Sequence, residues 1–291
     1  MRRQNRRVAS CPLPSSAVAL PETSAAIAAS HVRPGSRRAL RRVLPEETAV
    51  AMVYDGTSHA VMMATPADLV DFSVGFSLTE GIISDPGEID SHEIVPHPQG
   101  LEVRMWLAED RGAALSRRRR SLAGPVGCGL CGIDSLEQAI RDLPDLTGQG
   151  PVMDAAQVAD ATRLLQDWQP LHDATRAVHA AGFLHPDKGI VLAREDVGRH
   201  NALDKLIGAM ALQRQSPVEG AMVLTSRISV EMVQKCAMAG CTVLIAVSAP
   251  TLHALRLAEA AGITIAAFAR GEGFDLFSHP QRLSSEVSDV A

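Results

Sequence analysis

The chain has 291 residues, 46% hydrophobic and 21% charged, with a formal net charge of -5 at pH 7. That is enough chain for one large domain or two small ones, and a mildly acidic total gives no support to a general nucleic-acid binder, which needs a broad basic face. Aromatic residues make up only 3%, so the core has to be built from Ala, Val, Leu, Ile and Met.

Residues 1–42 are rich in Arg, Ser, Ala and Pro without periodic pattern, and the expectation is a disordered, solvated tail. Contact between its basic cluster and an anionic partner is the alternative. MRRQNRR opens the chain, but Ala17–Leu20 is too short for the apolar core of a secretory signal and Pro21-Glu22 interrupts it. No apolar run is long enough to span a membrane. The expectation is a soluble, cytoplasmic protein with no membrane or nucleic-acid partner. Ala49–Val53 and His59–Ala64 flank an Asp55-Gly56 turn, the pattern of a β-hairpin. Thr65 as N-cap and Pro66 in the first helical turn predict a helix to about Glu80, with Leu69, Phe72, Phe76 and Leu78 facing inward. Glu93–Val95 and Leu101–Leu107 complete a smaller α+β domain over 43–123. A glycine-rich loop follows over 124–134, then a helix from Ser135 to Asp142 and another over Asp154–Asp167.

Beyond it strands (Lys188–Arg194, Ala221–Thr225, Thr242–Val247, Ile263–Phe268) alternate with helices (Asn201–Gln213, Ser229–Ala239, Thr251–Ala261). This order predicts βαβ units and a largely parallel sheet covered on both faces. The fold class is α/β, with an α+β N-terminal part and a three-layer C-terminal domain over 135–280; residues 281–291 are expected to fray.

Within GPVGCGLCG, Cys128 and Cys131 are close enough to share a metal or a disulfide, and four glycines admit a bulky partner. A cysteine just ahead of a helix N-terminus, capped by Asp134 or Ser135, meets the positive end of the dipole, and Arg117–Arg120 add to that field. Both favour the nucleophilic thiolate. Five cysteines, an odd number, do not suggest a disulfide framework. Zinc needs four ligands, and Cys236 and Cys241 are spaced unusually for them; Cys236 fits a small buried hydrophobe better. A thioredoxin-like pair normally follows the first strand of its fold and is flanked by Trp or Pro. The third use is sulfur handling, in which a thiolate accepts sulfane sulfur from a persulfide. Deamination needs an H-x-E pair before P-C-x-x-C, and here Pro125 stands too early and His92-Glu93 lacks the spacer. No permanently bound metal is expected.

Charge gathers where predicted strands end: Arg194 to Lys205, Thr225 to Ser229, and Phe268-Ala269-Arg270-Gly271-Glu272-Gly273. Ligand sites of open α/β sheets lie at such ends. Arg199, Arg227, Arg270 and Lys205 are candidates for phosphates, and His200 for moving protons. A capped helix start with solvated charges explains Arg194 to Lys205 equally well. No GxGxxG or Walker A pattern is present.

ATPADLVDFSVGFSLTEGII (64–83), GCGLCG (127–132), REDVGRHNALDKLIG (194–208), TSRISVEMVQKCAMAG (225–240) and SAPTLHALRLAEAAGITIAAFARG (248–271) together resemble the FdhD family of sulfur carriers that serve formate dehydrogenase. The resemblance implies a C-terminal fold similar to cytidine deaminases without their zinc signature. It implies sulfur received as a persulfide from a cysteine desulfurase, Cys128 as carrier and Cys131 assisting. It implies transfer to the metal, molybdenum or tungsten, in bis(molybdopterin guanine dinucleotide), the cargo, for apo-formate dehydrogenase. Phe268 to Gly273 would help bind the guanine dinucleotide, and homodimers are usual. The alternative is a cofactor-binding chaperone that docks the apoenzyme without carrying sulfur. Thr175-Arg176-Ala177 stands where the family often has Thr-Gly-Gly.

Overall fold

The structure, a computed structural model, describes residues 20–108, 111–112, 142–271 and 273–284. The loop with Cys128 and Cys131, Arg117–Arg120, the helix expected from Ser135 and Glu272 lie outside the described residues.

Residues expected to belong to a tail form two strands instead. β1 (Ser24–Arg33) and β2 (Ser36–Pro45) pair antiparallel over their full length. β1 is mostly small and apolar residues, β2 alternates Arg pairs with apolar pairs, and Pro34-Gly35 makes the turn, with Gly35 at φ 79.

The N-terminal sheet has the order β4-β3-β6-β5, from β3 (Thr48–Tyr54), β4 (Thr57–Ala64), β5 (Ile89–His97) and β6 (Gly100–Leu107). The expected hairpin is present; Asp55 and Gly56 take φ 49 and 76, both left-handed, as a tight primed turn requires. Its apolar face packs on α1 (Leu69–Thr79), through Val50, Met52, Tyr54, Val103 and Met105 against Leu69, Phe72 and Phe76. Thr65 does not cap this helix. Its N–H donates to Asp196, its hydroxyl accepts from the Val197 N–H, and its carbonyl accepts from Lys205, so a residue expected to start a helix ties the two sheets together.

The C-terminal sheet has the order β13-β12-β11-β10-β8-β9. Its strands are β8 (His179–His185), β9 (Gly189–Asp196), β10 (Ala221–Leu224), β11 (Val243–Ala246), β12 (Thr264–Arg270) and β13 (Gly273–Leu276). β10, β11 and β12 are parallel, while β8, β9 and β13 join antiparallel. The sheet is therefore mixed, not largely parallel: β8 inserts between β9 and β10, and the hairpin it forms with β9 was not foreseen. Three helices, α4 (Arg199–Leu212), α5 (Val230–Met238) and α6 (Leu252–Ala261), cover one face. α2 (Ala155–Gln166) covers the other with Val158, Ala161 and Leu165, and short α3 (Pro170–Thr175) leads into β8. Alternate residues of each strand enter the two cores, Met222 and Leu224 one side, Ala221 and Val223 the other. The three-layer α/β arrangement is as expected. Arg176 closes α3 at φ 56, the left-handed conformation a glycine adopts freely.

Residues 281–284, expected to fray, are ordered. β14 (Leu283–Ser284) pairs with β7 (Met153–Asp154), and buried Arg282 donates to the carbonyls of Gln149 and Leu146 and to Thr264. No described helix is long and apolar enough to cross a membrane.

α1 lies between the N-terminal sheet and α4, and the two helices meet at glycines. A Cβ on Gly75 would stand 1.7 Å from the Asp204 carbonyl oxygen, and one on Gly208 1.8 Å from that of Asp71. Glycine inside a helix costs about 1 kcal/mol relative to alanine, and here that cost is what permits backbone contact. Gly208→Ala is therefore expected to destabilise the protein by roughly 3 kcal/mol or more, since backbone has to move on both helices; urea unfolding measures it, and a loss below ~1 kcal/mol would contradict the crossing.

Candidate functional site

β9, β10, β11 and β12 run in the same direction, so their carboxyl ends share one rim, which β8 and β13 enter at their first residues. The loops after β10 and β11 are tied by a bridge between Ile228 and Pro250 and by the Ile228 N–H to the Ala249 carbonyl, 3.1 Å. Arg270 at the end of β12 donates through Nε to the Val247 carbonyl, 3.1 Å, so three successive strand ends are braced together.

The sequence places Arg199 and His200 at the first turn of α4, where Gly198 is the N-cap. The structure surrounds them with residues of other elements. His200 Nε2 lies 3.6 Å from a Glu231 carboxylate oxygen, and that carboxylate accepts from the Ser229 hydroxyl at 2.7 Å. Burial, then the neighbouring Arg199 charge, pushes the His200 pKa down from 6.5 to about 4 against the opposing pull of Glu231. His179, the first residue of β8, faces the Thr225 hydroxyl at 3.5 Å, and its pKa is also lowered by burial, by Arg199 and by His172. Both imidazoles are thus neutral at neutral pH, able to donate and accept hydrogen bonds but not to supply charge. The charge comes from arginine. Among the described residues, buried Arg199 Nε and His200 Nε2 have no hydrogen-bond partner, an arrangement that suits an acceptor-rich ligand.

Arg227 and Arg270 are exposed on the same rim. Phe268 is 46% exposed and holds φ 53, where a bulge between Ala267 and Arg270 interrupts the pairing of β12 with β13. A bulky residue at positive φ is costly backbone, of order 1–3 kcal/mol, and here it turns an aromatic ring outward, 6.3 Å from the Phe277 ring. A planar heterocycle could lie on that ring. Ala269 differs: it is fully buried and its carbonyl accepts from Thr162, so it packs the sheet and offers no side chain to a ligand. Gly271, at φ 63, and Gly273 stand at the entry to β13. Lys205 is withdrawn from the phosphate candidates. It is fully buried, 2.7 Å from Asp196, and the structural reading of that charged segment wins there. His179, Glu231 and Ser229 were not singled out as site residues from sequence. His179 depends on β8, whose short Gly-containing run carried no strand signal, and Glu231 on the fold of α5 toward α4. Among the described residues no group of three or more His, Cys, Asp or Glu side chains is arranged to hold a metal ion.

Comparison with known proteins agrees with this architecture. The model of the FdhD/NarQ family matches residues 45–284. The sulfur carrier protein FdhD of Agrobacterium fabrum is 51% identical over 257 residues, covering 88% of this chain and 95% of that protein. The protein of the same name from Bordetella petrii is 47% identical over 238 residues, 82% of this chain and 85% of its own. Among solved structures, a chain described as a formate dehydrogenase accessory protein from Desulfotalea psychrophila superposes with a TM-score of 0.70 at 26% identity, covering 90% of this chain and all of that one.

The His200 environment has a consequence for pH. Its pKa of about 4 in the fold against 6.5 when free means the unfolded state binds more protons between those values, so stability is full above pH 6.5 and declines as pH falls toward 4. NMR titration should show a neutral His200 ring down to roughly pH 5, and His200→Gln should flatten the acid limb of stability; an unchanged slope would remove His200 as its source.

Proposed function

The chain belongs to the FdhD/NarQ family, and from that premise we propose that it is a sulfur carrier serving formate dehydrogenase. It takes persulfide sulfur from a cysteine desulfurase and delivers it to the metal of bis(molybdopterin guanine dinucleotide), which is cargo and not a resident cofactor. The reading includes a cytoplasmic location, docking to the apoenzyme, and a C-terminal domain akin to cytidine deaminases.

Burial of two cysteines is the observation that carries the assignment of the carrier. Cys236 and Cys241 have no solvent exposure, and burial raises both thiols, Cys241 to about 11. Neither is available as thiolate at neutral pH. Of the remaining cysteines, Cys11, Cys128 and Cys131, only the last two form a pair in a glycine-rich loop. The names of the relatives from Agrobacterium and Bordetella point the same way.

The chemistry balances within the pair. The Cys128 thiolate attacks the outer sulfur of the donor persulfide, the donor S–S bond breaks, and the donor thiolate leaves. For release, the Cys131 thiolate attacks Cys128 Sγ. The outer sulfur departs as hydrosulfide toward the metal with the electron pair of the broken persulfide bond, the Cys131 lone pair closes a Cys128–Cys131 disulfide, and a dithiol reductant reopens it. On the rim, Arg199, Arg227 and Arg270 meet the phosphates of the cargo, the exposed Phe268 ring carries its guanine, and neutral His200 and His179 supply hydrogen bonds.

After incubation with a cysteine desulfurase and cysteine, mass spectrometry should find one added sulfur on the Cys128 peptide. Cys128→Ala should lose that label and cellular formate dehydrogenase activity while keeping its circular dichroism. Cys131→Ala should load sulfur and fail to release it. A wild-type protein that never acquires sulfur but still supports the enzyme would overturn the reading in favour of a cofactor-binding chaperone.

A further inference from the structure

Strand β13 forms one edge of the C-terminal sheet, and Asp275 is the only described acidic residue of that edge. Its side chain is exposed and has no hydrogen bond or ion pair among the described residues. Asp275 pairs in register with Ala267 of β12, and directly opposed residues put their side chains on the same face. Ala267 belongs to the core that α4, α5 and α6 cover, and Phe277, two residues beyond Asp275, packs against that core too. Residues two apart on a strand share a face. The Phe268 ring lies 6.3 Å from the Phe277 ring, so the outward aromatic surface and the free carboxylate occupy the same corner of the sheet.

The charge of that carboxylate is the puzzle. The adjoining rim carries Arg199, Arg227 and Arg270, and an acid beside it repels the phosphates that those arginines attract. The arrangement works if the part of the ligand that lies over Asp275 brings N–H donors. Guanine carries two neighbouring donors on one edge, N1–H and the 2-amino group, and an ionised carboxylate offers two acceptor oxygens to meet them. Adenine has a lone pair at N1 and no 2-amino group.

We infer that Asp275 selects the base. With guanine on the Phe268 ring, the carboxylate accepts from N1–H and from the 2-amino group; with adenine there, its oxygens face the N1 lone pair. The same negative charge that costs affinity for any phosphate ligand thus rejects the wrong base, as discrimination by an unfavourable contact does. The inference rests on the reading that the rim holds a guanine nucleotide and adds which residue reads it.

Isothermal titration of the full chain with guanosine, inosine and adenosine diphosphates tests this. Inosine lacks only the 2-amino group. Guanosine diphosphate should bind at least about 10-fold more tightly than adenosine diphosphate, with inosine diphosphate between them. Asp275→Asn, at an exposed position and checked by circular dichroism, should weaken guanosine diphosphate about 10-fold while adenosine diphosphate holds or tightens, because a repulsion has gone. A carboxylate acting through charge alone would, once removed, let all three tighten alike, and one outside the site would leave all three unchanged; either result overturns the inference. Phe268→Ala should weaken all three. A wild-type protein that binds no guanosine diphosphate, or binds it equally well without the Phe268 ring, overturns the reading of the rim and the selection with it. Binding that needs Phe268 but prefers no base overturns the role of Asp275 alone.

Discussion

The crossing of α1 and α4 is the constraint on which the rest of the structure depends. Two glycines bring the helices to backbone contact, and two buried ion pairs anchor α4 to the end of β9 and to α5. Asp196 pairs with Lys205 at 2.7 Å while accepting from Thr65, Gly198 and Asn201. Asp204 pairs with Lys235 at 2.9 Å and accepts from Thr79. Burial raises the Asp204 pKa against the pull of Lys235, so the carboxylate is stable only with its ammonium in place. Buried pairs of this kind add little net stability over an apolar pair, but losing one partner costs about 3–5 kcal/mol. Their effect here is register: a shifted helix would strand a charge. Because α4 begins at Arg199 and α5 supplies both Lys235 and Glu231, the crossing that joins the two sheets also sets the strand-end rim.

On that rim the division of labour between side chains follows from solvation. Histidine buried beside arginine gives up its proton, so His179 and His200 become neutral hydrogen-bonding groups. Arginine keeps its charge under the same burial because its guanidinium is intrinsically far more basic. The positive charge of the rim is therefore carried by Arg199, Arg227 and Arg270. Phe268 adds an aromatic face at the cost of an unfavourable backbone conformation, and the bulge in β12 holds it there.

The charge distribution of the whole chain carries a second message. Residues 24–45 carry five arginines and no Asp or Glu, so the rest of the chain carries a formal charge of -10. A net charge of -5 conceals this segregation, so the total that argues against a nucleic-acid binder says little about surfaces within the protein.

Much of the fold is legible in the sequence because its signals are local. The Asp55-Gly56 turn, the Asp154 and Thr251 caps and the alternation of apolar strands with helices each depend on residues a few positions apart. What failed depends on contacts across the chain. Thr65 looks like a cap but bonds Asp196, Val197 and Lys205 more than 130 positions away. β8 is strand because it fits between β9 and β10, and β1 and β2 carry too many arginines to look like strands. For the site, the sequence by itself determined which groups are available: a cysteine pair in a glycine-rich loop and arginines at strand ends, since residue type sets charge and nucleophilicity. Only the tertiary structure decided which of those groups can act. Burial silenced Cys236, Cys241 and Lys205, neutralised His200, and brought His179 and Glu231 beside it, because desolvation and neighbouring charge exist only once distant segments have packed.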